Sequence, residues 1–130
     1  MASTYLTLTK STGSMVLWTW SAWVKRSAVR STEQNIFTGY NAATDYTEVR
    51  FDSSNRLNFQ NKVANSIAGE LQTTRVFRDS GWYHIVIVWD TGNATGDDRI
   101  RMYINGVRET DFIGTDIPTL NKASNIGEAS

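Results

Sequence analysis

In the stretch Trp18-Thr19-Trp20-Ser21-Ala22-Trp23-Val24-Lys25-Arg26, three tryptophans are interleaved with small or polar residues. A second stretch, Trp82-Tyr83-His84-Ile85-Val86-Ile87-Val88-Trp89-Asp90, carries the other two tryptophans of the chain. Both are rich in aromatic and β-branched residues, which favours strands over helices. The second is apolar on both faces, as is typical of a strand covered on both sides. We predict that the two stretches are central strands of an all-β, antiparallel sandwich.

The chain has 130 residues, which fits one domain with a single core. We therefore predict one domain over residues 1–130, with ends that can be incomplete. The chain has no cysteine, which excludes disulfides, thiolate metal sites and a thiol nucleophile.

The charges of the chain are balanced, with 13 Lys and Arg against 13 Asp and Glu. This balance removes the long-range field that nucleic-acid binders use, so no nucleic-acid partner is expected. No apolar run approaches the roughly 20 residues that span a bilayer. The N-terminal residues also lack the charged and apolar parts of a signal peptide. We expect no membrane insertion.

The rest of the chain shows weaker strand patterns separated by short polar turns. Strands are predicted at residues 4–9, 35–40, 47–52, 56–60 and 70–76. Between the last two, residues 63–70 contain Asn65 and Gly69, which are poor helix formers, and we predict a loop there.

Asn105-Gly106, directly after the alternating segment 99–104, is the strongest hairpin signal in the chain. A two-residue turn would place Glu109 and Asp111 on the apolar face of that segment, where unpaired charge is costly. A three-residue, bulged loop instead sets the two carboxylates opposite arginines of the segment, Arg101 and Arg99. We predict the bulged loop.

A resemblance to a known family rests on several of these motifs. The pattern Trp82-x-His84, an apolar run to Asp90, a polar loop and then Met102-Tyr103-Ile104-Asn105-Gly106-Val107 resembles the laminin-G-like jelly roll of the concanavalin A-like superfamily. The stretch 18–26 and Arg75-Val76-Phe77-Arg78-Asp79 are similar to the version found in bacteriophage virion proteins. The resemblance covers about residues 16–112 and is more specific for fold than for ligand. It implies a virion protein assembled in the host cytoplasm.

The C-terminal residues differ from the family pattern. Members usually finish with an Ile-Gly turn and one or two closing strands, whereas here Asn125-Ile126-Gly127 is followed only by residues 128–130. A jelly roll that lacks its closing strand exposes unpaired backbone along a sheet edge. We expect other virion proteins or further copies of the chain to pair there, unless the sequence is a fragment.

Catalytic patterns are weak. His84 is the only histidine, which excludes a two-histidine metal site within one chain, and we expect it to be a hydrogen-bonded structural residue. Glucanases of the superfamily carry Glu-x-Asp-x-x-Glu on one strand. Glu48, Arg50 and Asp52 would share a strand face, but an arginine between two acids is more typical of an ion-pair ladder. A non-enzymatic protein is expected, with a polysaccharide hydrolase as the minority alternative.

Aromatic, amide and charged side chains suggest a glycan-binding surface, provided that they share a face. The candidate residues are Trp23, Tyr40, Asn41, Tyr46, Arg50 and Asn58. In the alternative interpretation, Trp23 belongs to the core and the tyrosines are half-buried edge residues.

The polar loop after Asp90 offers hard oxygen ligands of the kind that Ca²⁺ prefers. Asn93, Asp97 and Asp98 are the candidate calcium ligands, because some laminin-G-like domains bind calcium in such a loop. A turn without metal is the alternative, and no other cofactor is expected.

The leading functional hypothesis is a virion fibre, spike or capsid appendage that adheres to the host surface through weak glycan binding. The alternative is a purely architectural virion protein that binds no sugar.

Overall fold

The computed structural model of the protein describes residues 13–126, which form two antiparallel sheets packed face to face. One sheet has the strand order β1-β6-β7-β8 and the other the order β2-β3-β4-β5-β9. The strands are β1 (Leu17–Lys25), β2 (Gln34–Ala42), β3 (Asp45–Phe51), β4 (Arg56–Val63), β5 (Ser66–Val76), β6 (Trp82–Asp90), β7 (Ile100–Ile104), β8 (Val107–Arg108) and β9 (Phe112–Asp116). The predicted all-β antiparallel sandwich is confirmed.

The core lies between the inner faces of the two sheets, as the alternating patterns predict. Trp89 is fully buried at its centre, and Trp18 of β1 stacks on it with a ring-centroid distance of 6.2 Å. The buried hydrophobic residues of the core are Val49, Phe51, Leu57, Phe59, Leu71, Phe77, Ile85, Ile87, Trp89, Ile100, Met102 and Ile104.

One expectation for the tryptophan-bearing strands needs correction. The outer face of β6 is less covered than its apolar sequence predicts, because Trp82 is 60% exposed. Within residues 13–126, β6 is interior to its sheet and β1 pairs on one side, with β6.

The prediction of a loop over residues 63–70 is wrong. β4 and β5 are joined by a two-residue turn at Ala64 and Asn65, with φ of 50° and 63°. These left-handed values match the twist of the adjacent strands without requiring glycine. The turn is held because Ala64 N donates to Asp45 Oδ1 and Asn65 N donates to the Thr44 carbonyl.

The bulged loop predicted at Asn105-Gly106 is also wrong. Tyr103 pairs with Arg108 and Ile104 with Val107, so the turn has two residues, both with positive φ. The predicted cost does not arise because β8 ends at Arg108 and the chain crosses to the other sheet. Asp111 therefore does not lie against the core, and its carboxylate accepts a hydrogen bond from the Thr74 hydroxyl.

The segment after β9 closes one end of the sandwich without regular structure. Ser124 N donates to the Met15 carbonyl, and the Trp18 indole donates to Ser124 Oγ at 2.7 Å. The strand predicted at residues 4–9 and the residues after Ile126 lie outside the described part of the chain. Within the described part, no helix is long and apolar enough to cross a bilayer.

Candidate functional site

The outer face of the five-stranded sheet is polar over three adjacent strands. Because Val49 and Phe51 of β3 point into the core, the residues that alternate with them point outward, and the same holds on β4 and β5. We call this surface the polar face. It comprises Tyr40, Tyr46, Glu48, Arg50, Asp52, Asn58, Gln60, Lys62, Glu70 and Gln72.

The strand register arranges the polar face in three parallel rows. Arg50, Asn58 and Gln72 form one row across β3, β4 and β5. Glu48, Gln60 and Glu70 form the next row, and Tyr40, Tyr46 and Lys62 form the third. Alternate residues of a strand lie roughly 7 Å apart, so the rows are close neighbours.

Hydrogen bonds and ion pairs connect the first two rows. Arg50 Nη1 lies 2.6 Å from Glu48 Oε1 and 3.4 Å from Glu33 Oε2. The amides of Asn58 and Gln60 both donate to Glu70 Oε1, at 2.9 and 3.4 Å. These contacts fix the amide orientations, so the face presents an ordered set of donors and acceptors.

The polar face keeps unused hydrogen-bonding capacity in its centre. Asn58 is only 1% exposed, yet its Oδ1 has no hydrogen-bond partner within residues 13–126. Arg50 Nε lacks an acceptor in the same part of the chain. A buried polar atom without a partner is destabilising, and because the fold encloses both atoms, the side chains above them would have to move before a ligand could bond to them.

Glu48 is a largely buried carboxyl of the polar face. Burial raises the pKa of this carboxyl, and the neighbouring Arg50 opposes the rise. The charged carboxylate is thus held by an arginine rather than by water.

Two tyrosines form the aromatic end of the polar face. Tyr40 and Tyr46 lie directly opposite each other on β2 and β3, and Tyr40 is 68% exposed. Lys62 Nζ lies 5.5 Å from the centroid of the Tyr46 ring, a cation–π contact. Aromatic surface and hydrogen-bonding groups therefore stand side by side.

Comparison with known proteins identifies the family. A laminin G family model, described as the concanavalin A-like lectin/glucanases superfamily, matches residues 1–130. The chain belongs to this family. No curated protein and no solved structure matches it. The predicted laminin-G-like jelly roll is confirmed.

The laminin G domain brings together four of the six candidate ligand residues. Tyr40, Tyr46, Arg50 and Asn58 belong to the polar face. Asn41 lies in an irregularity of the β2–β3 pairing, between Tyr40 and Ala42.

Trp23 lies on the other sheet of the laminin G domain, away from the polar face. It is 66% exposed on β1, so the alternative that places it in the core is wrong. Its ring is 5.0 Å from that of His84. His84 N donates to Asn105 Oδ1, and the histidine packs beside this exposed tryptophan.

Glu48, Gln60, Glu70 and Gln72 were not among the candidate residues. The signal that could have found Gln60 is the alternation of Leu57 and Phe59 with polar residues along β4. Glu70 and Gln72 could not be placed beside β4, because a loop was predicted where β5 pairs with it.

The ion-pair ladder predicted on β3 forms only in part. Arg50 pairs with Glu48, whereas Asp52 accepts hydrogen bonds from Ser54 N and Arg56 N at the β3–β4 turn. The second Asp52 oxygen accepts from Gln72 at 2.6 Å. Asp52 therefore connects the β3–β4 turn to β5.

The candidate calcium loop of this laminin G domain is held by arginines. Asp98 Oδ1 lies 2.7 Å from Arg108 Nη1, and Asn93 Oδ1 accepts from Thr95 N. The Arg99 guanidinium binds the carbonyl oxygens of Asn93 and Pro118. Three or more acidic, histidine or cysteine side chains nowhere converge on a metal-sized site within the described residues. Guanidinium groups therefore bind Asp98 Oδ1 and the Asn93 carbonyl, while Asn93, Asp97 and Asp98 stay a prediction as calcium ligands.

Proposed function

We propose that this laminin G domain is a non-enzymatic glycan-binding module whose ligand lies on the polar face. The observation that carries the proposal is the row of Tyr40 and Tyr46 beside rows of ordered amides, carboxylates and an arginine. A sugar ring presents both an apolar C–H surface and hydroxyl groups. Tyrosine offers a flat apolar ring with a polar tip, and amides both donate and accept.

Each row has a separate role in this proposal. The exposed Tyr40 ring, backed by Tyr46, stacks on the sugar. Arg50, Glu70 and Gln72 are partly exposed on the polar face and supply donors and acceptors for hydroxyl groups. Glu70 keeps the amides of Asn58 and Gln60 in place.

Binding without cleavage fits the hydrogen bonding of the Glu48 and Asp52 carboxylates. A glycosidase needs one carboxyl as proton donor and a second as base or nucleophile. Here Glu48 is paired with Arg50, and both oxygens of Asp52 accept hydrogen bonds within the fold. We therefore do not favour the hydrolase.

The setting that we propose is a virion appendage assembled in the host cytoplasm, where the module adheres to cell-surface glycans. Support for this setting is the resemblance of residues 18–26 and 75–79 to bacteriophage virion proteins. The zero formal net charge supports protein and glycan partners over nucleic acid.

An architectural role is the second candidate, and the exposed aromatic residues of the other sheet favour it. Trp23 and Trp82 are 66% and 60% exposed on its outer face. Large exposed tryptophans are typical anchors of protein interfaces.

A glycan array followed by titration of the bound glycans tests the proposal. We expect Tyr40→Ala to weaken binding at least tenfold, and its exposure means that the fold is retained. Trp23→Ala is the matched control, because it removes an equally exposed aromatic ring from the opposite sheet. Binding that Trp23→Ala abolishes and Tyr40→Ala leaves intact would move the site to the other sheet, and a blank array would favour the architectural role.

A further inference from the structure

Within residues 13–126, the strand pairing leaves one edge of the β1 backbone without a partner strand. Thr91 N donates to the Val16 carbonyl, and β1 runs antiparallel to β6 in continuous register from Leu17 to Lys25. In such a pair, alternate residues exchange both hydrogen bonds with the partner strand. The even-numbered residues of β1 therefore bond to β6. The backbone groups of Thr19, Ser21, Trp23 and Lys25 point away from it, and within residues 13–126 no strand meets them.

In the described part of the chain, β1 lacks the protection found at the β2 and β8 edges. The pairing of β2 with β3 is interrupted by two irregularities, and β8 is only two residues long. β1 has nine residues, no proline and no irregularity in its pairing. Edge strands normally carry bulges, prolines or charges that discourage further pairing, and β1 has one charge, Lys25, at its end.

Large apolar side chains stand beside the open edge. Leu17 and Trp23 of β1 are exposed on the outer face, and Trp82 lies across from Lys25. A strand added to this edge would gain backbone hydrogen bonds and aromatic contacts together.

We propose that a second copy of this chain adds to β1, antiparallel and centred on Ser21, so that the two four-stranded sheets become continuous. The sequence of β1 is self-complementary in that arrangement. Trp23 faces Thr19 of the second copy, Trp20 faces Ala22, and Lys25 faces Leu17, so large residues meet smaller ones and no like charges meet. The zero formal net charge of the chain removes long-range repulsion between copies.

Sedimentation equilibrium of the full chain and of Ser21→Pro tests this interface. The Ser21 N–H points away from β6, so proline there removes the donor that the proposed dimer needs and leaves the β1–β6 pairing intact. We expect twice the 14.6 kDa chain mass for the wild type and at least tenfold weaker dimerisation for Ser21→Pro. Ser21→Ala keeps the N–H and should dimerise like the wild type. A monomeric wild type, or a Ser21→Pro variant that dimerises equally well, overturns the proposal.

Amide hydrogen exchange at two protein concentrations gives a test that does not depend on a variant. The amides of Thr19, Ser21 and Trp23 should become protected only at the concentration where the dimer forms. Those of Trp20 and Ala22, which bond to β6, should be protected at both. Protection of all five in a monomer would mean that another segment of the same chain covers the edge, and the proposal would then be wrong. Because the polar face lies on the other sheet, neither outcome bears on glycan binding.

Discussion

The guanidinium of Arg26 stacks on the ring of Phe51, 4.1 Å from its centroid. Arg26 also donates to Gln34 Oε1, to Asn55 Oδ1 and to the Phe77 carbonyl. One buried cation thus joins the end of β1 to β2, to the β3–β4 turn and to the residue that follows β5. Burial lowers the pKa of Arg26, but an arginine remains charged at any physiological pH.

Arg26→Met should lower the free energy of unfolding by about 2–4 kcal/mol, because it leaves buried acceptors without a donor. Urea unfolding followed by tryptophan fluorescence measures the change. Arg30→Met is the matched control, since Arg30 is exposed. Equal stability of the two variants would show that Arg26 does not hold these strands together.

Gly69→Ala should destabilise the fold by about 1–3 kcal/mol through overpacking. A Cβ at position 69 would lie 2.7 Å from Trp89 Cζ3 and 3.1 Å from Ile100 Cδ1, and both side chains are buried in the core. At Gly92 the nearest atom to an added Cβ is 3.7 Å away, so Gly92→Ala should be close to neutral. Thermal unfolding of both variants decides the point, and similar melting temperatures would contradict the packing at Trp89.

Ala64→Asn should stabilise the protein by about 0.5–1 kcal/mol, since asparagine tolerates the left-handed φ of 50° better than alanine does. The hydrogen bond to Asp45 Oδ1 is donated by the backbone N–H of residue 64, so the substitution retains it. The opposite change at the other hairpin, Gly106→Ala at φ 80°, should destabilise although its Cβ meets open space. Melting temperatures that move in the same direction for both variants would refute the role assigned to backbone conformation.

Glu48 should make the stability of the fold depend on pH. Because burial raises its pKa, the folded chain binds the proton more tightly than the unfolded chain does. The contribution of this group is therefore present below the unfolded-state pKa, about 4.3, and is lost as the pH rises through the folded-state pKa. The melting temperature of Glu48→Gln relative to wild type should thus increase over that interval. A difference that stays constant or falls would indicate that the ion pair with Arg50 outweighs burial.

The tryptophan-bearing stretches predicted the sandwich well because alternation along a strand directly encodes which face is buried. Trp18 and Trp20 pack inward, and the apolar face of β7 forms as predicted. At residues 63–70 the strands were missed because the turn at Ala64 and Asn65 reaches left-handed φ values without glycine, whereas the second error concerns only the type of the turn. At Asn105-Gly106 the crossing to the other sheet removed the burial cost that had favoured a bulge.

The candidate site was predicted only in part because sharing a face is a property of two or more strands together. Tyr46 and Arg50 lie on one strand, so their common orientation could be read from sequence spacing. Trp23 offers the aromatic surface on which a sugar can stack, but it belongs to the other sheet. Glu70 entered the polar face only through the register of β5 against β4, which no local pattern contains.

The bond between Ser124 N and the Met15 carbonyl means that the first and last described parts of the chain complete one structure. The pairing of β1 likewise cannot form until β6 has been synthesised, which happens much later. A topology with such high contact order folds slowly and exposes its unpaired strands in the meantime. Until β6 has been synthesised, Trp18 lacks the Trp89 ring on which it stacks, so this side chain stays exposed while the ribosome completes the domain.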